Sequence, residues 1–311
     1  YIRWYPDPEL LTKKEYLGML YQDYKIGDLK YLINSPKGFI NVQSKEEAFK
    51  VWKRNEVRTP AFFSFSNELD FQFNFENSNI DFPFLIRLNN DVAGNGSYLV
   101  ERQSDLKKNL KKLFKNYKEH CKKNIGINTK LICVEYIDTV DYKKNVNVSY
   151  RIHVAGNKII SGYARISSAS DWVAITGKFE RKDAEKWIEY NILCEKMCKK
   201  HEAEICKAIQ VLGLNYQGID IIIGNENNKI YFLEVQPTYA TGYNKNGYGQ
   251  YYPPFYNPSY PNLVKFLIEE KKYLEKIIPM YYNRWLDKKE HFNLAYKYLK
   301  EYLNCLDQTR Y

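Results

Sequence analysis

The stretch "LNYQGIDIIIGNENNKIYFLEVQPTYATG", residues 214–242, decides the fold of this chain. Two apolar runs, "IDIII" and "IYFLEV", flank the polar sequence "GNENN", and that pattern predicts a β-hairpin. Each run carries one acid, Asp220 in the first and Glu234 in the second. An ionised carboxylate inside a strand costs free energy unless a cation compensates it. With the turn at about residue 226, period-two alternation sets Asp220 opposite Phe232, Glu234 diagonally beside it, and Gln236 on the same face. Two carboxylates and an amide oxygen at that separation suit one or two Mg²⁺ ions, which take hard oxygen ligands and share them with substrate phosphates. A salt-bridged pair or an exposed hairpin face is the competing reading.

Upstream, "SYRIHVAGNKIISGYARI" (149–166) reads as a second hairpin with its tight turn at Gly156 and Asn157. Ser149, Arg151 and His153 alternate with apolar residues, so Arg151 falls on the polar face of its strand, and Arg165 lies near the end of the partner strand. Planar guanidinium groups suit phosphate or acyl-phosphate oxygens through bidentate bonds. Solvation, or pairing with a surface acid, would equally account for either arginine alone. Further upstream, "FPFLIRL" (82–88) and "YLVER" (98–102) read as strands joined by the glycine loop "NNDVAGNGS". That loop leads into a strand and not a helix, so it fits neither the Walker A loop nor the dinucleotide fingerprint. It is either a plain hairpin connection or a loop whose backbone N–H groups fold over phosphates.

The remaining elements follow the same logic. Ser44 and Glu47 stand at capping-box spacing ahead of an apolar stripe of Ala48, Val51 and Trp52, which predicts a helix. It ends before "VRTPAFFSF", a strand-forming run. Ahead of it, "YLINSPKGFINV" reads as a short strand, a turn and another strand. Ser104 opens a long amphipathic helix with Leu106, Leu110, Leu113, Phe114 and Tyr117 on one face. "LICVEYI" (131–137) is a strand, a helix runs from about 183 to 212, and two helices, about 262–277 and 287–305, close the chain after a Tyr- and Pro-rich stretch (243–261). No internal repeat is visible.

Composition narrows the function classes. A chain of 311 residues with 44% hydrophobic and 27% charged residues can build a full core. No run approaches the roughly eighteen apolar residues of a membrane helix, and the first thirty residues lack the apolar centre of a signal peptide. The chain begins at Tyr1 rather than Met, consistent with a removed earlier segment. Six scattered cysteines read as reduced thiols of a cytoplasmic protein. Cys194, Cys198 and His201 share a helical face, but the apolar residues beside them favour packing over a metal clip. The net charge of +10 and the 29 tyrosines raise nucleic acid as a partner. The lysines of "LKKNLKKLFKNYKEHCKK" are spread over several helix faces without an RNA-binding signature, which favours an anionic small substrate instead.

The ordered succession "FPFLIRLNNDVAGNGSYLV", "LICVEYI", "SYRIHVAGNKIISGYARISSASDW", "LNYQGIDIII" and "KIYFLEVQP" resembles the ATP-grasp superfamily, nearest to the ribosomal-protein glutamate ligases and their peptide-ligase relatives. The likeness covers about residues 32–240. It implies an α+β fold in which two subdomains, 39–126 and 127–250, clasp Mg-ATP, after a short N-terminal segment (1–38) and before a helical C-terminal extension (251–311). It implies Lys45, Arg87 and the loop residues Gly94, Asn95, Gly96 and Ser97 at the nucleotide phosphates. Glu135, Tyr136 and Ile137 fall at the adenine hinge, Arg151 and Arg165 at the reacting groups, and Asp220, Glu234 and Gln236 on Mg²⁺. The implied activity is a carboxylate–amine ligase with small-molecule or peptide substrates and ATP and Mg²⁺ as cofactors; composition disfavours nucleic acid as a partner, and no membrane partner is expected. A phosphotransferase and a non-catalytic nucleotide- or nucleic-acid-binding module are the alternatives. Three positions depart from the family pattern: Arg87 stands where lysine is usual, Gln236 where asparagine is usual, and Ser149 where an acid often precedes the first arginine.

Overall fold

A computed structural model describes residues 34–42, 44–89, 96–123, 130–171, 184–236, 266, 269–280 and 288–308. The chain divides into two compact units: residues 1–138 with 224–234, and residues 139–223 with 235–311. Strand Leu131–Glu135, expected in the second subdomain from residue 127, belongs to the first unit, because it pairs along its length with two strands of that unit's sheet.

Among the described residues the first unit begins with helix α1 (Pro36–Val42), where the second of two short strands was expected; the first, in "YLIN" (31–34), lies almost wholly outside the described residues. The β-forming residues Phe39, Ile40 and Val42 suggested strands, but Pro36 occupies the first helical position, where its missing N–H costs nothing. Helix α2 (Lys45–Arg54) follows as expected, with the Ser44 side chain accepting a hydrogen bond from Glu47 N at 3.3 Å. Its buried Trp52 packs against Phe232, ring centroids 5.9 Å apart.

Strand β1 (Phe62–Phe65) leads into α3 (Glu68–Glu76), which sequence reasoning missed. Phe71, Phe73 and Phe75 alternate with polar residues, a strand pattern, but local capping decides otherwise. Asn67 Oδ1 accepts from Asp70 N, and Asp70 Oδ2 accepts from Ser66 N. Phe71 and Phe75, one turn apart, stack at 5.7 Å, while Phe73 is 67% exposed.

Strands β2 (Phe84–Leu88), β3 (Ser97–Val100) and β4 (Leu131–Glu135) complete an antiparallel sheet of order β1-β4-β2-β3. Helix α4 (Gln103–Lys123) packs Leu106, Leu110 and Leu113 into the core with Phe65, Phe84 and Ile86. Its lysines do not lie on several faces. Lys107, Lys108, Lys111, Lys112, Lys115, Lys118 and Lys122 are all exposed on the side opposite the buried leucines. They form four like-charged pairs at i,i+4 spacing, each destabilising by about 0.2–0.5 kcal/mol. Helix α2 shows the ordinary alternative, with Lys50 meeting Glu46 at 2.6 Å and Glu47 at 3.2 Å.

The second unit holds β5 (Val140–Asp141), β6 (Val146–Ala155), β7 (Lys158–Ser168) and β8 (Tyr216–Ile223), and β9 (Ile230–Gln236) belongs to the first unit up to Glu234; the sheet order is β5-β6-β8-β9, with β7 on β6. Helix α5 (Ala184–Gln210) covers one face, and Gly162 leaves room there for Ile152 and Cys194. Cys194 and Cys198 are buried in this core, and burial pushes the Cys194 thiol up. His201, where α5 kinks, meets Glu204 at 3.1 Å.

On the opposite face, β6 was expected to be merely polar, yet His153 and Ser161 are fully buried there. The last helix, α7 (Lys288–Gln308), lies over them: His153 Nδ1 meets Ser161 Oγ at 2.8 Å, and Ser161 Oγ meets His291 Nδ1 at 3.3 Å. A shorter helix, α6 (Lys271–Ile277), precedes it, and beyond it the buried Glu195 carboxylate accepts from Met280 N at 2.8 Å. Gly156, at φ +60°, sets how closely α7 approaches. A Cβ there would stand 2.7 Å from Tyr302 Cβ and 2.8 Å from Tyr298 O. Gly156→Ala therefore combines left-handed strain with a backbone collision. It is expected to lower stability by at least about 1–3 kcal/mol, measured by urea unfolding. Among the described residues, no helix is long and apolar enough to cross a membrane.

Candidate functional site

Asp220 is the centre of the charged cluster in the second unit. Antiparallel pairing sets it directly opposite Arg151, and Ser149 opposite Arg165, so β6, β7 and β8 present the two arginines and the acid on one face. Arg151 grips the carboxylate with a fork: Nε donates to Oδ1 at 2.6 Å and Nη2 to Oδ2 at 2.7 Å. Its Nη1 donates to Gln236 Oε1 at 2.7 Å, and Arg165 Nη2 donates to Asp220 Oδ1. Burial opposes ionisation of Asp220, but the two guanidinium groups outweigh it and hold the carboxyl well below the usual carboxylate range. The two arginines are spent differently. Arg151 commits three donors to Asp220 and Gln236, whereas the buried Nε of Arg165 has no hydrogen-bond partner among the described residues.

In the first unit, Lys45 opens α2 and is buried, with Nζ 3.2 Å from Glu234 Oε1. The helix start is fixed by Asn89, a residue that sequence reasoning did not single out. Its carbonyl accepts from Lys45 N at 3.4 Å, its Oδ1 accepts from Glu46 N at 2.9 Å, and its own N–H donates to Lys130 O at 3.0 Å. Glu46 is buried beside it. Desolvation opposes its charge, but hydrogen bonds from Lys50 and Ser64, with the charges of Lys50 and Lys130, lower its pKa. The contact joins residues 43 positions apart, and no local pattern announces it. Asn89→Ala leaves Glu46 N without its acceptor inside a buried network and is expected to cost about 1–3 kcal/mol, read by thermal unfolding.

Arg87 on β2 stands opposite Ser97 on β3. Ser97 is buried and its Oγ has no hydrogen-bond partner among the described residues, while Gly96 takes φ +64°. Gly94 and Asn95 lie outside the described residues, as does the Tyr-rich stretch. Glu135 does structural work with its side chain: Oε2 accepts from Ala61 N at 2.8 Å, and Glu135 N donates to Ala61 O at 2.8 Å. Tyr136 and Ile137 follow it outside the strand, and a Cβ on Gly224 would reach Ile137 Cγ2 at 3.0 Å.

The expected metal ligands are thus divided. Asp220 and Gln236 meet through Arg151 in the second unit, and Glu234 pairs with Lys45 in the first. Both carboxylates carry the salt bridges that were the competing reading of the hairpin. Among the described residues, no three His, Cys, Asp or Glu side chains form a metal-binding group. The oxygens still fit a hard cation. A carboxylate offers about four acceptor positions, and Asp220 uses three, leaving one on Oδ2. Gln236 Oε1 accepts one bond from Arg151 and keeps a lone pair. The orphaned Ser97 hydroxyl and Arg165 Nε are polar groups of the kind a phosphate oxygen satisfies.

Comparison with known proteins gives a family. The chain matches the RimK-like ATP-grasp domain over residues 42–246. No curated protein matches it. Among solved structures, an ATP-grasp ligase PsnB complexed with a minimal precursor is 13% identical, with 72% of this chain and 60% of that chain covered and a TM-score of 0.43. N5-carboxyaminoimidazole synthetase from Staphylococcus aureus complexed with ADP is 13% identical, covering 74% and 52%, with a TM-score of 0.47. An L-amino acid ligase from Bacillus licheniformis is 12% identical, covering 75% and 56%, with a TM-score of 0.46. The chain spans between 52% and 60% of the length of these three solved chains. The family match takes in both sheets, the glycine loop and the Asp220 cluster, and on that basis the chain belongs to the RimK-like ATP-grasp family.

Proposed function

We propose that the chain is an ATP- and Mg²⁺-dependent carboxylate–amine ligase of the cytoplasm, taking small-molecule or peptide substrates. The γ-phosphate of ATP passes to a substrate carboxylate, the acyl phosphate so formed is attacked by an amine, and ADP and phosphate leave as the amide forms. The observation that carries this reading is the unequal use of the two arginines around Asp220 in a chain of this family. Arg151 orients the acid and the amide of Gln236. Arg165, tethered by one nitrogen to Asp220, has guanidinium donors left for an oxygen on which charge develops. Asp220, Glu234 and Gln236 are the residues assigned to Mg²⁺, which when bound would neutralise phosphate charge. Lys45, Arg87 and Ser97, with Gly94, Asn95 and Gly96, supply cations and donors for the nucleotide phosphates. The backbone of Glu135, Tyr136 and Ile137 is assigned to adenine. No protein nucleophile is needed, because positioning and electrostatics carry such transfers.

The test is a screen of amino acids and short peptides for ADP release by the purified protein with Mg-ATP. A ligase releases ADP only when an acid and an amine are both present. Release with a single acceptor, together with a stable phosphorylated product, makes the protein a kinase. Nucleotide binding that is indifferent to Asp220→Asn, with no ADP from any pair, makes it a binding module.

A further inference from the structure

The outer face of α4 has no role in the reaction proposed above. At about 100° per residue, its seven exposed lysines fall within an arc of about 140°, and at 1.5 Å per residue they extend over about 22 Å of helix. Glu119, at one edge, is the only acid among them, and Asp105 at the helix start is taken by Arg102 at 3.2 Å. Among the described residues, none of the seven makes a hydrogen bond or an ion pair. The stripe therefore carries uncompensated like charges that repel one another, while α2 neutralises its lysine within the same turn.

We propose that this stripe is a docking surface for the sugar–phosphate backbone of double-stranded DNA, bound without regard to sequence. The selection among polyanions comes from what the stripe lacks. The apolar side of α4 is locked in the core, so the helix cannot insert into a membrane, and basic charge without an apolar or lipid anchor gives weak adsorption to vesicles. No aromatic residue is exposed along it to stack unpaired bases, which removes the main sequence-tolerant contact of single strands. With the apolar side of α4 buried, affinity for its lysine face rests on counterion release. That term is large for duplex DNA, which carries one charge per about 1.7 Å of axis. An extended acidic peptide cannot exceed one charge per about 3.3 Å. Lysines acting as point charges, with no arginine among them, provide positioning on phosphates and no base readout.

The experiment is fluorescence anisotropy of a labelled mixed-sequence 30-base-pair duplex with the full chain across a salt series. With five to seven phosphates neutralised, log K is expected to fall linearly against log[salt] with a slope of about −4.5 to −6.3. Replacing Lys111, Lys115, Lys118 and Lys122 together by Gln, a good helix former, should make the slope shallower by about 3.6 and weaken binding at 0.1 M salt by about a hundredfold or more. The same four positions changed to Arg should retain binding, and circular dichroism of both variants confirms that α4 is intact. A wild-type slope shallower than about −2, or a Gln variant that is folded and binds like wild type, overturns the proposal. So does tighter binding, at equal salt, to polyglutamate, anionic vesicles, single-stranded DNA or duplex RNA than to the DNA duplex.

Discussion

Asp220→Asn lowers the stability of the second unit by about 3–5 kcal/mol, read by urea unfolding, and abolishes ADP release in the proposed reaction. The side chains of Asp220, Arg151 and Arg165 are 12, 15 and 17% exposed, so solvent replaces little of what the carboxylate supplied. The substitution leaves two buried guanidinium groups facing each other across a neutral amide. Arg151→Met added to Asp220→Asn should recover part of the loss, because it removes one of the uncompensated cations. The acid dependence follows from the depressed carboxyl. Its contribution is fully present above the unfolded value of about 3.9 and is lost only as pH falls through the much lower folded value. Acid unfolding of Asp220→Asn should therefore lack the part of the transition that wild type shows well below pH 4. Identical acid limbs for the two proteins would falsify the pairing.

Arg165→Lys and Arg151→Lys should separate chemistry from scaffold. Arg165 makes one bond to Asp220 and has buried donors to spare, so lysine keeps the charge and loses the planar fork. The expected result is a fall in kcat of about 10²–10³ with KM for ATP and the unfolding midpoint little changed. Arg151 spends its donors on Asp220 and Gln236, and lysine cannot serve both. Arg151→Lys should lower the unfolding midpoint and raise KM through misplacement of Asp220. Equal effects of the two substitutions on stability and on kcat would contradict this division.

Much of this arrangement could be read from spacing. Ser44 and Glu47 marked the start of α2, and alternation along β6 put Arg151 on the polar face of its strand, because capping and pleat act over a few residues. The failures have physical causes of two kinds. In α1, β-forming residues suggested a strand, and in α3 no helical period announces the element, but Pro36 and the Asn67–Asp70 cap gave the backbone hydrogen bonds a helical solution. Asn89 was invisible because its partners, Glu46 and Lys130, are distant in sequence, and the partners of Asp220 could not be named until strand order was fixed. The lysines of α4 were misjudged as dispersed, although the helix period aligns them opposite the buried leucines.

The path of the chain through its two units bears on synthesis. The first unit is left at Asp138 and resumed only at Gly224, and β9 contributes residues up to Glu234 to it before continuing into the second. Phe232 then fills the space beside Trp52, and its N–H and C=O bond to Arg58 and Thr59. At about 5–20 residues per second, the ribosome needs roughly 4–20 s to make the interval between these two visits. For that time the nascent first unit holds Trp52 without its neighbouring ring, and the Arg58 carbonyl and the Thr59 hydroxyl without these hydrogen bonds. Removal of residues 224–234 should accordingly unsettle α2 and β1, which lie more than 150 positions earlier in the chain.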